Sequence, residues 1–299
     1  MKQKFRLQWM IESKDEGKTI KEFLKEHQIS KASLTDIKYK GGAILVNGRE
    51  ENVRYILKLG DQLIIYFPEE MISEKMEGEP IPLEILYEDD YLLVVHKPPF
   101  MNTIPSREHP HGSLSNALIH YYQKKGILAT SHIVTRLDRN TSGIVLIAKH
   151  RHIHHLLSLE QRENKIRRTY EAFVHGFVEP IEGVIEAPIA RKQDSIIERC
   201  VDKSGQHACT MYKVIKQFSS FAHVQLQLKT GRTHQIRVHM SYIGHPLLGD
   251  ELYGGSLEKI NRQALHCRSI EFIHPISKET LFFSSALPQD MELVLLNEK

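Results

Sequence analysis

Asp138 lies between two arginines in Thr135-Arg136-Leu137-Asp138-Arg139, followed by Asn140-Thr141-Ser142-Gly143 and the apolar stretch from Ile144 to Ala148. Neighbouring positive charge favours the ionised form of a carboxylate, and an ionised carboxylate on a loop is a usable nucleophile. A structural ion pair on a turn accounts for the same residues and, on these residues alone, is the commoner case. A second stretch, Lys229-Thr230-Gly231-Arg232-Thr233-His234-Gln235-Ile236-Arg237, ends on an arginine held by apolar neighbours. Arg237 either grips a carboxylate in fixed geometry or rides on a surface helix. In a third stretch, Arg162, Lys165, Arg167 and Arg168 precede Tyr170. A tyrosine there is half-buried packing or a platform for a nucleic-acid base, a stack worth about 1–3 kcal/mol.

Strands and one helix must position these side chains. The run Ile144 to Ala148 is short, β-branched and bounded by Gly143, so it reads as a buried strand with Asp138 at its mouth. Tyr170, Ala172 and Val174 alternate as a strand that Gly176 closes. Val224, Leu226 and Leu228 alternate with Gln225, Gln227 and Lys229, a half-buried strand. Gly231 then turns the chain, Thr233 is the expected helix cap, and Ile236, Met240 and Ile243 pack along one face up to Gly244. Upstream, Leu83 to Pro98 reads as a hairpin around an acidic turn, and Ser115 to Tyr122 as a helix capped from Ser113. His150 and His154 have the spacing of a metal pair on a helix, but no acid or thiolate completes the set. No metal is expected.

The first seventy residues read as a separate small module. Ile20, Phe23 and Leu24, then Ile29, Leu34 and Ile37, have helical spacing, with Ser30 and Ser33 as candidate caps. Ala43 to Val46 leads into Asn47-Gly48, a pair that tolerates positive φ in a hairpin turn. Gly60-Asp61 introduces a last strand, Gln62 to Phe67. Residues 71–80 are polar, lack a period and end in Gly78 and Pro80, so they are the expected linker between residues 1–70 and 81–299.

The motifs occur in a telling order. Arg136-Leu137-Asp138, Gly143 and Ala148-Lys149 resemble the catalytic motif of the RluA-type pseudouridine synthases, with Thr135 where that family usually has His. Lys97-Pro98, Arg168-x-Tyr170-x-Ala172, Gln235-Ile236-Arg237, Gly249-Asp250 and Gln263-Ala264-Leu265-His266 fit its other segments, with Arg168 at a usual Lys and Phe100 at a usual Gly. The resemblance covers roughly residues 80–290. It implies an α+β fold with a mixed, largely antiparallel central sheet, flanking helices and a central cleft. It implies isomerisation of uridine to pseudouridine in a structured RNA, ribosomal RNA or tRNA, without a cofactor. Asp138 would be the catalytic carboxylate, Arg237 its ion pair and Tyr170 the wall behind the base. Arg136 would fill the gap left by a flipped nucleotide, Arg168 would bind substrate, and Leu265 would line the uracil pocket or simply be core. The small module resembles the RNA-binding domain named after ribosomal protein S-four, with Lys31, Lys38 and Lys40 as phosphate contacts.

Composition narrows the classes without choosing among them. A net charge of +3 means that any nucleic-acid surface is a local patch. Three cysteines without a C-x-x-C pair suggest reduced thiols, and no apolar run reaches the length of a membrane helix. The start lacks a signal-peptide core, so the cytoplasm is the expectation, and a monomer is expected separately. Kinase chemistry is excluded, since Gly17-Lys18-Thr19 lacks the upstream glycine of a P-loop. The remaining alternative to a synthase is an inactive RNA-binding or ribosome-assembly factor.

Overall fold

The computed structural model describes residues 5–70 and 76–298. Residues 71–75, half of the expected linker, lie outside the described residues. The chain begins with β1 (Arg6–Met10), which the sequence reading missed, and continues through α1 (Ile20–Glu26) and α2 (Lys31–Tyr39). Next come β2 (Ala43–Val46), β3 (Arg49–Glu50) and β4 (Gln62–Tyr66). These strands form a sheet in the order β1-β4-β2-β3, and Asn47 and Gly48 both take positive φ in its hairpin turn. Thr19, not foreseen as a cap, closes a capping box with Glu22 at the start of α1. Ser30 caps α2 by accepting from the Ser33 N–H, so Ser33 is the partner and not a cap. Ile20, Phe23, Leu24, Ile37, Leu63 and Ile65 make a core separate from that of the larger sheet.

The larger part holds β5 (Glu84–Glu88), β6 (Leu92–Lys97), α3 (Leu114–Lys125), β7 (His132–Ile133), β8 (Ser142–Ala148) and α4 (Arg151–Arg162). It continues with β9 (Arg167–His175), β10 (Glu182–Glu186), β11 (Ile189–Arg191), β12 (Arg199–Val201), β13 (Cys209–Gln217) and β14 (Phe221–Leu228). Then come α5 (Gln235–Tyr242), β15 (Leu265–Ile273), β16 (Thr280–Ser284) and α6 (Gln289–Leu296). The sheet runs β10-β13-β14-β9-β15-β8-β6-β5, with β16 on β15 and β7 on β8. Among the described residues only the β15–β8 pairing in it is parallel, so the sheet is mixed and largely antiparallel as expected. All seven residues of β8 are buried, which explains why its sequence is continuously apolar and not alternating. Gly143 sits where β8 meets β15, with φ +119, and a Cβ there would lie 2.3 Å from the Cys267 carbonyl oxygen. Only glycine fits that crossing.

Phe100, at the usual glycine, itself takes a positive φ of 64 in the turn after Lys97-Pro98. Two of the clustered histidines pack between the two parts, while His154 meets His132 within the larger part. His150 stacks on Phe5 at 3.8 Å between ring centroids, and His152 stacks on Phe67. Burial pushes both histidines down to about 4, so they are neutral rings at pH 7. Arg151 ties the same seam by pairing with Asp36 of α2 and donating its backbone N–H to Glu70.

Candidate active site

The loop between β7 and β8 carries Asp138, and side chains distant in sequence tether its backbone. Thr103 Oγ1 donates to the Leu137 carbonyl at 2.6 Å and accepts the Leu137 N–H at 3.2 Å. Lys97, fully buried, donates to the carbonyls of Pro98, Met101 and Arg139. Burial pushes its ammonium down to about 7, against the pull of Asp138. Arg262, also fully buried, donates to the Asn140 carbonyl at 3.0 Å while forking onto Asp290 of α6 at 2.6 and 2.8 Å. These bonds fix the loop backbone on both sides of Asp138, as a carboxylate held for chemistry requires.

Thr135, at the usual histidine position, is completely buried and its Oγ1 accepts the Leu146 N–H at 2.9 Å. The hydroxyl therefore works as a buried acceptor at the end of the strand ladder. Thr135→Val would leave that N–H buried and unpaired, a loss of about 1–3 kcal/mol. Urea unfolding should show the lower midpoint while turnover per folded molecule stays within about twofold, a barrier change of roughly 0.4 kcal/mol. Unchanged stability would mean that another acceptor serves Leu146.

Arg237 corrects a simple expectation. Its Nη1 lies 3.3 Å from Asp138 Oδ2, which brings the anticipated pair together. Its main partner, however, is Asp250, which accepts from Nε and Nη2 at 2.7 Å each in a buried fork. Burial works against the charge, and the Asp250 bonds more than restore it, so the guanidinium pKa is raised. The Arg237 guanidinium also lies 4.8 Å over the Tyr253 ring. Gly249-Asp250 matches a family segment, but nothing in its spacing marks Asp250 as the carboxylate that seats Arg237. Thr233 does not cap α5 either. His234 occupies the N-cap in a left-handed conformation, and the Gln235 backbone N–H goes to the Arg232 carbonyl at 3.2 Å instead.

Tyr170 is buried on β9, and burial pushes its phenol pKa up. Arg168 donates to its hydroxyl at 3.0 Å, so the two motif residues act on each other. Leu265 is buried and faces Ala172, two residues from the Cys267–Tyr170 pair, on the same side of the sheet as Tyr170. Arg136 is exposed and has no bonded partner among the described residues. Lys31 and Lys38 are exposed on α2, far in the chain from this site, and Lys38 lies 5.0 Å over the exposed Tyr39 ring. Lys40, also exposed, pairs with Asp36 at 2.9 Å.

Comparison with known proteins decides the family. The family described as RNA pseudouridylate synthase matches residues 91–242, which span every motif of the loop, β9 and α5. The chain belongs to the RluA-type RNA pseudouridine synthases. It is 53% identical over 280 residues to the uncharacterized RNA pseudouridine synthase YjbO of Bacillus subtilis (strain 168), covering 94% of this chain and 99% of that protein. It is 36% identical to the ribosomal large subunit pseudouridine synthase D of Pseudomonas aeruginosa, over 84% of this chain and 82% of that one. Human RNA Pseudouridylate Synthase Domain Containing 4 is similar in structure, with TM-score 0.58 and 26% identity over 71% of this chain and 92% of that one. This RNA pseudouridine synthase is therefore an isomerase acting on RNA, and the inactive-factor alternative is not favoured. Among its described residues no helix is long and apolar enough to cross a membrane.

Proposed function

We propose that the synthase isomerises a specific uridine in ribosomal RNA, with Asp138 as the catalytic carboxylate. The observation that carries the reading is the Asp138 carboxylate itself, partly exposed on a tethered loop with Arg237 at 3.3 Å. In the reaction the N1–C1′ bond breaks, the uracil turns, and C5 bonds to C1′; the C5 proton leaves and N1 gains one. Asp138 serves this by attacking C1′ or by assisting departure of the base. The buried ring of Tyr170 supplies a wall for the loose uracil, and Leu265 extends the same apolar surface. Arg237, seated by Asp250, keeps positive charge beside Asp138. Arg136, free at the rim, fills the space of the flipped nucleotide, and Arg168 steadies the Tyr170 hydroxyl beside the substrate. The ribosomal target is taken from the relative named for the large subunit.

Mapping pseudouridine at nucleotide resolution in RNA from cells with and without the synthase tests the assignment. Loss of one or a few ribosomal sites is expected. Loss confined to tRNA would replace the substrate.

Residues 1–70 act, on this reading, as an S-four-type RNA-docking module joined by a linker to the catalytic domain. Exposed Lys31 and Lys38, with Tyr39 beside them, support a phosphate-facing surface on α2. In the full chain, Lys31→Ala with Lys38→Ala should weaken RNA binding and reduce the slope of log K against log salt. Each lost phosphate contact removes about 0.7–0.9 from the slope. An unchanged slope would remove these lysines from the RNA interface.

A further inference from the structure

Asp138 has a second neighbour besides Arg237. His234 holds φ 56 and ψ 20 at the start of α5 without making a side-chain cap bond. A residue with a Cβ is costly in that conformation, and strain of this kind gathers at functional sites. The ring lands between two groups: Nδ1 lies 2.8 Å from the Tyr253 hydroxyl, and Nε2 lies 3.8 Å from Asp138 Oδ2.

The hydroxyl determines which nitrogen carries the proton. Tyr253 Oη accepts the Arg199 backbone N–H at 3.0 Å. A phenol has one hydrogen to give, and among the described residues His234 Nδ1 is its one acceptor within bonding distance. Burial pushes the Tyr253 phenol up to about 12, so that hydrogen stays in place. Nδ1 is therefore the acceptor, and the proton of a neutral imidazole sits on Nε2, aimed at the carboxylate. The ring is neutral at pH 7, because burial lowers its pKa. Asp138 and Asp250 work against that lowering, while Arg237 and Arg199 add to it. Arg237 Nη1 and His234 Nε2 both address Oδ2, and no group among the described residues bonds Oδ1.

We infer that His234 is a positioning residue for the isomerisation, an Nε2–H donor whose tautomer Tyr253 fixes and which orients Asp138 with Oδ1 toward the ribose. The inference rests on Asp138 as the reacting carboxylate. At 3.8 Å the contact is longer than a formed hydrogen bond, and it closes when substrate enters, as catalytic bonds commonly do. It also gives the small β11–β12 hairpin a part in the site, since the Arg199 N–H is what commits the Tyr253 hydrogen to His234.

Nitrogen-15 NMR of the histidine rings in the full-length protein reads the tautomer without any RNA. An Nε2-protonated His234 is expected, and an Nδ1-protonated ring at pH 7 would overturn the inference. Single-turnover rates on an unmodified transcript of large-subunit ribosomal RNA test the consequence. Tyr253→Phe keeps the ring and should slow the chemical step about tenfold with unchanged RNA affinity. In a His234→Gln background, where no imidazole remains to be oriented, Tyr253→Phe should cost nothing further. His234→Gln should itself retain more turnover than His234→Phe, because its amide can still donate toward Asp138. Losses that multiply across the two sites would show that Tyr253 acts elsewhere. A wild-type protein that leaves this transcript unmodified would fail the ribosomal assignment, and the ring spectra would then decide the inference alone.

Discussion

Asp138→Asn should yield no detectable pseudouridine, while the variant folds normally and binds RNA within a few-fold of wild type. The substitution keeps the shape of the side chain and removes the charge on which nucleophilicity depends. Had Arg237 been a buried cation with Asp138 as its sole partner, the change would also have destabilised the fold. It is not so placed, because Asp250 accepts from both Nε and Nη2 at 2.7 Å. Asp138 is more exposed, at 29% of its side-chain surface against 1% for Asp250, and the 3.3 Å contact to Nη1 is the looser of the two. The asparagine oxygen can still accept from Nη1. Stability should therefore move by less than about 1 kcal/mol, the ordinary worth of a partly exposed pair. RNA affinity should hold or rise, since one negative charge leaves a surface that meets phosphate. The measurement is pseudouridine formed per folded molecule on ribosomal RNA, with urea unfolding and filter binding on the same preparations. Substantial product from the folded variant would remove Asp138 from the chemistry.

The contrast between the two aspartates shows where the sequence stops being informative. Periodicity reveals strands and helices because every second or fourth side chain meets the same surroundings. Tyr170 to Val174 and Val224 to Leu228 were legible for that reason, as was the helix around Arg237; Ile144 to Ala148 was legible as a short β-branched run because both of its faces are buried. The bonds that hold the Asp138 loop have no such signature. Arg262 reaches Asn140 across 122 positions and Thr103 reaches Leu137 across 34. In each case a lone polar residue meets a backbone carbonyl, which no local pattern announces. The Thr233 cap failed for a related reason. A cap rule assumes an extended residue before the helix, whereas His234 is left-handed and the Arg232 carbonyl takes the first N–H of the helix, that of Gln235. His150 was expected on a polar helix face, but it stacks on Phe5, nearly one hundred and fifty residues away in the chain, a contact that no local pattern announces. The resemblance of the motifs located the site; the geometry showed what holds it.

Asp250→Ala should be the most damaging single change outside the loop, lowering stability by about 3–5 kcal/mol and turnover more than tenfold. The side chain is almost fully buried and its two oxygens hold the Arg237 fork. Removing it leaves a guanidinium in a low-dielectric site with its remaining carboxylate, Asp138, reached through one nitrogen. The cation can then turn toward Asp138, binding both oxygens and taking the carboxylate out of position. Stability and turnover fall for different reasons, and a second variant separates them. Arg237→Met with Asp250→Leu replaces the buried pair by apolar side chains, so much of the stability should return. Turnover should not return, because the Arg237→Met change removes the positive charge beside Asp138 altogether. Thermal unfolding and single-turnover rates on the same proteins give both numbers. An Asp250→Ala protein within 1 kcal/mol of wild type, on the scale of a surface pair, would mean that Arg237 is not desolvated as described. A double variant that recovered turnover would make Arg237 a structural residue, and the electrostatic part of the mechanism would have to come from elsewhere in the cleft.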